Sequence, residues 1–314
     1  MLKTLLSFGE ALWDLLPTGP VLGGAPLNLT YRFNSLGQRG YIATRLGRDF
    51  HGNKALAQII DLDLDTACVQ RDEEHPTGTV EVKVDEKGNP DFTILRDVAY
   101  DYIEVTYELM ELVGRTDCLC FGTLIQRSPT SALTLQRLLE VCGRKPRFLD
   151  LNLRKDCYDW PTITRSLQNA TLLKLNADEA RRVAFGYDIP SDTPLPELCR
   201  GLCRHGPLAA CIVTLGEKGA FALGTDEQIV YVPGYEVAVV DTCGSGDAFS
   251  AAFLHEYLQG KSLAQCCQLG VALGSMVATQ QGATEPISAR ELQAFLQREH
   301  RRLVDPALES HLVL

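Results

Sequence analysis

The chain has 314 residues, 45% of them hydrophobic and 22% charged, the composition of a soluble globular enzyme with one large α/β domain or two small ones. A formal net charge of −10 excludes nucleic acid as a partner, since a phosphate backbone needs a basic surface. No run approaches a membrane span, and the N-terminal apolar stretch, broken by Glu10 and Asp14 and followed by no small-residue cleavage site, is not a secretory signal. The eleven cysteines are scattered, odd in number and without zinc-knuckle spacing, so they read as reduced thiols of a cytoplasmic protein, most of them in the core.

Residues 2–9 form a short apolar run ending in Gly9, consistent with a buried first strand that delivers Glu10 and Asp14 at its carboxyl end. Ligands of open parallel sheets gather at that end. Gly23 and Gly24 then lead into a helix over 29–36, stopped by Gly37, with Asn28 near its start. The Asn28 amide is placed to grip a polyol or to satisfy local backbone. Residues 41–46 read as a strand, and 47–52 open a further helix over 53–60.

The pattern changes over 77–95. Residues 79–84 alternate, 85–89 make a turn with Gly88, and 91–95 return, which describes a β-hairpin with one polar face. Inserted in an α/β chain, such a hairpin reads as a lid; Arg96 at its end either reaches a substrate or stays solvated. Strands over 118–121, 147–151, 172–175 and 210–215 then alternate with helical stretches such as 129–142 and 195–205, implying parallel crossovers and a sheet covered on both faces. With no repeat, low-complexity tract or linker, residues 1–314 read as a single domain.

Polar groups recur where those strands end: Asp150, Asn152 and Arg154; Lys174, Asn176 and Glu179; Thr214, Gly216 and Gly219. Each cluster has an explanation in turn and cap chemistry, but their recurrence on one edge describes one cleft. The sequence Asp241-Thr242-Cys243-Gly244-Ser245-Gly246-Asp247 joins a β-rich run over 229–240 to an apolar helix over 248–258. Two glycines around Ser245 let successive amides converge on an anion at the positive end of the helix. Asp247, in the first turn, is then a carboxylate beside that anion, as a kinase base requires. The competing reading is a glycine turn with an Asp favoured at any helix start.

The 241–247 stretch resembles the DTxGxGD signature of the ribokinase-like (PfkB-type) sugar kinases, and Gly23-Gly24 with Asn28 resembles that family's N-terminal signature. Asn176-Ala177-Asp178-Glu179 is similar to its NxxE motif, and residues 213–219 to its nucleotide-binding strand end. The resemblance implies a three-layer αβα ribokinase-like fold, with a central mostly parallel sheet and a small β-sheet lid from about 14–25 and 77–97. It implies ATP and Mg²⁺, with Asp247 as base and the amides of Gly244, Ser245 and Gly246 as anion hole. Asp14, Gly24 and Asn28 would grip the sugar, helped by Arg96, Asn152 and Arg154 from the cleft. Lys174, Asn176, Thr214, Gly216 and Gly219 fall on the nucleotide side, and Glu179 would act on Mg²⁺ through water. A monovalent cation, often held beside the anion hole in the family and K⁺ as the candidate here, would sit at Asp241, Cys243 and the backbone around Val277, Gln280 and Gly282; Cys243 and Ser245 depart from the usual pattern and leave cation preference open.

Residues 9–17, 121–124 and 150–154 look most like bacterial fructokinases, which implies ATP-dependent phosphorylation of a sugar hydroxymethyl group, fructose first. Ribokinase or 2-keto-3-deoxygluconate kinase activity is the alternative, followed by a nucleoside kinase or a non-catalytic sugar sensor. The sensor reading is weakened by the presence of Asp247, Asn176 and Glu179. A nicotinamide-dependent oxidoreductase would carry a glycine fingerprint after its first strand with an acid roughly 20 residues on, and residues 9–12 lack it. Because a two-stranded hairpin is seldom stable alone, the lid predicts a homodimer formed through it.

Overall fold

The computed structural model describes residues 1–16, 19–84 and 90–313. The first half of the chain contributes β1 (Thr4–Phe8), β2 (Leu12–Leu16), β3 (Gly19–Gly23), α1 (Ala25–Ser35), β4 (Arg39–Gly47), α2 (Phe50–Asp61) and β5 (Val69–Asp72). There follow β6 (Thr79–Val84), β7 (Pro90–Ile94), α3 (Tyr107–Arg115), β8 (Cys118–Phe121), α4 (Pro129–Cys142) and β9 (Arg147–Asp150). The second half adds α5 (Trp160–Asn169), β10 (Leu172–Asn176), α6 (Ala177–Gly186), α7 (Leu195–Cys203), β11 (Ala210–Thr214), β12 (Ala220–Gly224) and β13 (Ile229–Val232). It closes with α8 (Ser245–Tyr257) and α9 (Leu263–Val277), then α10 (Ala289–Gln297).

Nine strands form one sheet in the order β13-β12-β11-β10-β9-β8-β1-β4-β5. All pairings from β11 through β5 are parallel, and at one edge β12 alone runs the opposite way, antiparallel to both β11 and β13. Alternation along the buried strands feeds two cores. Leu6, Leu119, Leu149 and Leu173 face the layer of α3 to α7, while Leu5, Cys118, Phe148 and Leu172 face α1, α8 and α9. Helices therefore cover both faces, as continuous apolar strands require. The β13 edge is closed by the chain's own end, where the Val313 amide donates to the Tyr231 carbonyl (2.8 Å).

A separate four-stranded sheet has the order β3-β2-β6-β7. The expected hairpin over 79–95 is its β6/β7 half, and the expected turn over 85–89 lies outside the described residues. The strand expected over 229–240 ends sooner, at Val232, because Pro233 has no amide to continue the ladder; only Gly234–Tyr235 pairs again, with Arg302–Leu303. Nine of the eleven cysteines are buried and all are free thiols. Among the described residues no helix is long and apolar enough to cross a membrane.

Candidate active site

Register places the site. Lys174 pairs with Asp150 across β10 and β9, Asn176 with Thr214 across β10 and β11, and Phe8 with Phe121 across β1 and β8, so the carboxyl ends of adjacent parallel strands open on one edge. Over that edge lie the starts of α1 and α8.

The start of α1 is set by Gly24, whose φ of 117° suits only glycine and whose added Cβ would lie 2.4 Å from the Glu10 carbonyl oxygen. Pro26 in the first turn supplies the helical φ without a donor to waste. One turn on, Asn28 is 4% exposed and its Nδ2 donates to Asp247 Oδ2 (2.8 Å), while its Oδ1 is buried without a partner. That oxygen is an unfilled hydrogen-bond acceptor.

α8 begins at Ser245, with Gly244 before it in the left-handed region (φ 74°). The helix is buried on every side, from Ala248 to Leu254, because it is sandwiched between α1 and α9, and its start is thereby fixed in depth. Gly244, Ser245 and Gly246 wrap this helix start, and Asp247 lies in its first turn. Burial pushes the Asp247 carboxyl up to about 6, the nearby Asp150 charge adds to that, and Asn28, Lys174 and Arg154 oppose it. Asp247 is thus walled by protein yet still partly open to the cleft.

Lys174 is buried and its Nζ lies 3.0 Å from both oxygens of Asp150. Ser250 Oγ lies 3.1 Å from Asp150 Oδ2 and donates to the Gly246 carbonyl (3.0 Å), tying β9 to the first turn of α8. Burial works against the Lys174 ammonium, but the charges of Asp150, Asp247 and Glu179 outweigh it and raise its pKa. A Cβ on Gly246 would stand 3.3 Å from that Nζ, so amine and glycine loop face the same small volume.

Asn176 and Glu179 form a capping box at the start of α6: Glu179 N donates to Asn176 Oδ1 (2.9 Å) and Asn176 N to Glu179 Oε2 (2.8 Å). Glu179 Oε1 also accepts from Leu153 N (2.8 Å), and burial raises its pKa. Helix capping therefore accounts for the N-x-x-E geometry, and each Glu179 oxygen keeps a lone pair for a water. Thr214 ends β11, and Gly216 (φ 59°) and Gly219 (φ 90°) bracket the turn that follows it.

The expected cation residues also converge. Asp241 Oδ1 accepts from Cys243 N (2.9 Å) and Oδ2 from Gly282 N (3.0 Å), while Gln280 N donates to the Val277 carbonyl (3.0 Å). Gln280 Oε1 is buried without a partner, an unfilled oxygen of the kind a K⁺ ion takes.

On the sugar side, Asp14 stands on β2, where burial raises its pKa against the pull of Arg154. Arg154 is exposed at the mouth, and its charge acts on Glu10, Asp14 and Asp247 alike. Asn152, at φ 42°, lines a small recess with Glu10, Phe121, Thr123 and Asp150. Arg96 is exposed and donates to the Asp156 carbonyl, so it fastens the end of β7 to the loop bearing Arg154. Arg127 holds the same junction, with Nη2 on the Leu95 carbonyl (2.5 Å) and its guanidinium on both Asp101 oxygens.

Sequence reasoning left Glu10, Asp150 and Ser250 without roles. Glu10 is 6% exposed, accepts from Ala25 N (3.3 Å) and is pushed by burial up to about 7. The signal for Glu10 and Asp150 was their place at strand ends; for Ser250 it was its spacing, one turn after Gly246.

The sequence pattern of pfkB family carbohydrate kinases matches residues 19–290. A fructokinase of Escherichia coli is 27% identical over 301 residues, covering 90% of this chain and 95% of that protein. Among solved structures, the Xylella fastidiosa fructokinase with bound ATP superposes with a TM-score of 0.81 at 20% identity, over 95% of this chain and 99% of the other. A Vibrio cholerae fructokinase double mutant in fructose, ADP and potassium ion bound form superposes with a TM-score of 0.80 at 21% identity, over 94% and 99%. The layered sheet and its small companion sheet are thus the ribokinase-like fold, and with most of its length matched the chain belongs to the pfkB family of carbohydrate kinases.

Proposed function

We propose that this sugar kinase transfers the γ-phosphoryl group of ATP to a hydroxymethyl group of fructose, with Asp247 as the base. The observation that carries this is the Asp247 carboxylate, oriented by Asn28 and seated beside the glycine loop at the start of α8. Asp247 accepts the proton of the sugar hydroxyl as its oxygen bonds to phosphorus, and the bond from phosphorus to the departing ADP oxygen breaks. The amides of Gly244 and Gly246 and the end of the α8 dipole stabilise the charge on the transferring group, while the Ser245 amide, expected beside them, donates to the Thr242 carbonyl (3.2 Å) and closes the turn. Asp14, Gly24, Asn28 and Asn152 position the sugar, with Arg96 at the lid junction; Thr214, Gly216, Gly219, Lys174 and Asn176 border the nucleotide.

The donor set suits Mg²⁺ held through water. No cluster of three or more His, Cys, Asp or Glu side chains able to hold a metal exists among the described residues, so Glu179 would act through a hydration shell completed by phosphates. Bound there, Mg²⁺ supplies neutralising charge to the phosphates. Asp241, Cys243, Val277, Gln280 and Gly282 would hold K⁺, a role supported by the orphan Gln280 oxygen. EDTA is expected to abolish turnover, and KCl to raise it over a K⁺-free buffer of equal ionic strength. Flat activity across KCl would remove the K⁺ role and leave the kinase reading standing.

A coupled ADP-release screen over fructose, ribose, 2-keto-3-deoxygluconate, glucose, tagatose and adenosine tests the function. Fructose should give the highest kcat/KM, and release with none of them would overturn the reading. Ketodeoxygluconate is the alternative favoured by Arg154, whose guanidinium at the mouth suits a carboxylate.

The acid limb of kcat/KM for the free enzyme should fall near pH 6, where Asp247 takes up a proton and stops serving as base. A limb at the ordinary Asp value near 4 would contradict the desolvated base.

The β3-β2-β6-β7 sheet closes over the sugar as a lid that keeps water from the phosphoryl group. The same sheet seats a second copy, making a homodimer. Light scattering at assay concentration should return twice the 34.6 kDa chain mass, and a monomer mass would refute this arrangement.

A further inference from the structure

Arg32 is 0% exposed, yet only its Nε has a partner, the Ala283 carbonyl oxygen at 2.9 Å. Nη1 and Nη2 are buried with no hydrogen bond, and no carboxylate stands within ion-pair distance among the described residues. A guanidinium cannot shed its charge, so it stays buried as a cation, and burying a charge with vacant donors is expensive unless the charge is used. Tyr31, whose ring centroid lies 5.3 Å from the guanidinium, and the exposed Glu285 are the titratable groups that act on it.

Arg32 lies four residues after Asn28 on the same face of α1. Asn28 holds Asp247, while Arg32 holds Ala283. Ala283 in turn backs the glycine loop, for a Cβ built on Gly244 would meet Ala283 Cβ at 2.3 Å and Cα at 2.7 Å. The preceding residue, Gly282, gives its amide to Asp241. One helix face therefore grips both the base and the turn behind the anion hole.

We propose that Arg32 is a positioning residue for phosphoryl transfer, fixing through the Ala283 carbonyl the turn that backs Gly244 and lending its unneutralised buried charge to the anion hole. The inference rests on the kinase reading for its kinetic consequence and not for its structural one. A fixed positive charge in a low-dielectric wall stabilises negative charge developing at the loop and needs no rearrangement to do so. The two vacant nitrogens leave that charge unspent on any carboxylate.

The test is Arg32→Met beside Arg32→Lys, reading kcat, both KM values, Tm and amide hydrogen exchange. Met fills the space without charge, and apolar replacement of a buried charge is often neutral or stabilising. Arg32→Met is thus expected to keep or raise Tm while lowering kcat about tenfold or more with little change in KM. Arg32→Lys, which keeps the charge but is costlier to bury, should have the lower Tm and the higher kcat of the two. Amides 244–246 and 282–283 should exchange faster in Arg32→Met than in the wild type. Wild-type kcat in a folded Arg32→Met, or exchange unchanged at those amides, overturns the proposal. If Arg32→Met does not fold, Arg32→Lys decides alone: lowered kcat at unchanged KM with faster exchange supports it, and wild-type values for either refute it. Faster exchange in a protein whose wild type turns over no sugar would sink the kinase reading and leave the link from Arg32 to the turn intact.

Discussion

Asp247→Asn is expected to lower kcat by roughly 10²-fold or more while leaving sugar and ATP binding in place. The substitution preserves the outline of the side chain and an oxygen for Asn28 Nδ2, now 2.8 Å from Asp247 Oδ2, so it removes the basic charge alone. ATP affinity should hold or rise, because a negative charge leaves the neighbourhood of the phosphates. Stability gives a second readout. Folding raises this carboxyl from 3.8 to about 6, so the folded protein binds its proton more tightly than the unfolded chain does. Ionised Asp247 therefore costs stability in full above about pH 6, and the cost vanishes below 3.8, where both states are protonated. Asp247→Asn should consequently melt no lower than wild type at pH 8, and the difference should shrink as the pH falls. If the Asp were merely a favourable helix-start residue, the mutant would lose a few tenths of a kcal/mol and almost no activity. A folded, fully active Asp247→Asn protein would end the assignment of this residue as base.

How far the site could be read from the sequence follows from what a linear pattern encodes. Strand and helix periodicity placed Asp150, Lys174, Asn176 and Thr214 at strand ends, and parallel crossovers then bring such ends to one edge. The glycine loop was legible because few residues permit a φ of 74°. What periodicity does not encode is which side chains meet across the edge. Lys174 and Asp150 pair because register sets them side by side, and Ser250 reaches Asp150 because α8 is pressed down between α1 and α9. Arg96 shows the same limit, since its position in the sequence does not disclose that its guanidinium meets the Asp156 carbonyl. Glu179 carries two readings at once, since a capping box and a water-mediated metal contact use different lone pairs of the same carboxylate. Arg32 gave no motif at all; its meaning comes from contact with Ala283, 251 residues away in sequence.

Gly244→Ala and Gly246→Ala should both depress kcat, and should part company in stability. At Gly244 an alanine must take a left-handed φ, which costs roughly 1–2 kcal/mol. Its Cβ would also stand 2.3 Å from Ala283 Cβ and 2.7 Å from Ala283 Cα, so either the turn over 280–283 or the glycine loop moves. Neither neighbour is the free end of a flexible side chain, and Ala283 is held from behind by Arg32. The amides that make up the anion hole are then displaced, and losing one such donor costs about 10² to 10³ in kcat. Sugar KM should change little, because Asn28 and Asp14 lie on other elements. At Gly246 the backbone is already helical, the position gains helix propensity, and the nearest obstacle is Lys174 Nζ at 3.3 Å. Gly246→Ala should accordingly keep or raise Tm, yet its methyl crowds the volume between amine and loop where an anion would settle, lowering kcat by about tenfold or more. Thermal melts and steady-state kinetics on the pair separate the two lesions. A Gly244→Ala protein with wild-type Tm and kcat would mean that the charge on the transferring group is stabilised somewhere other than at the start of α8.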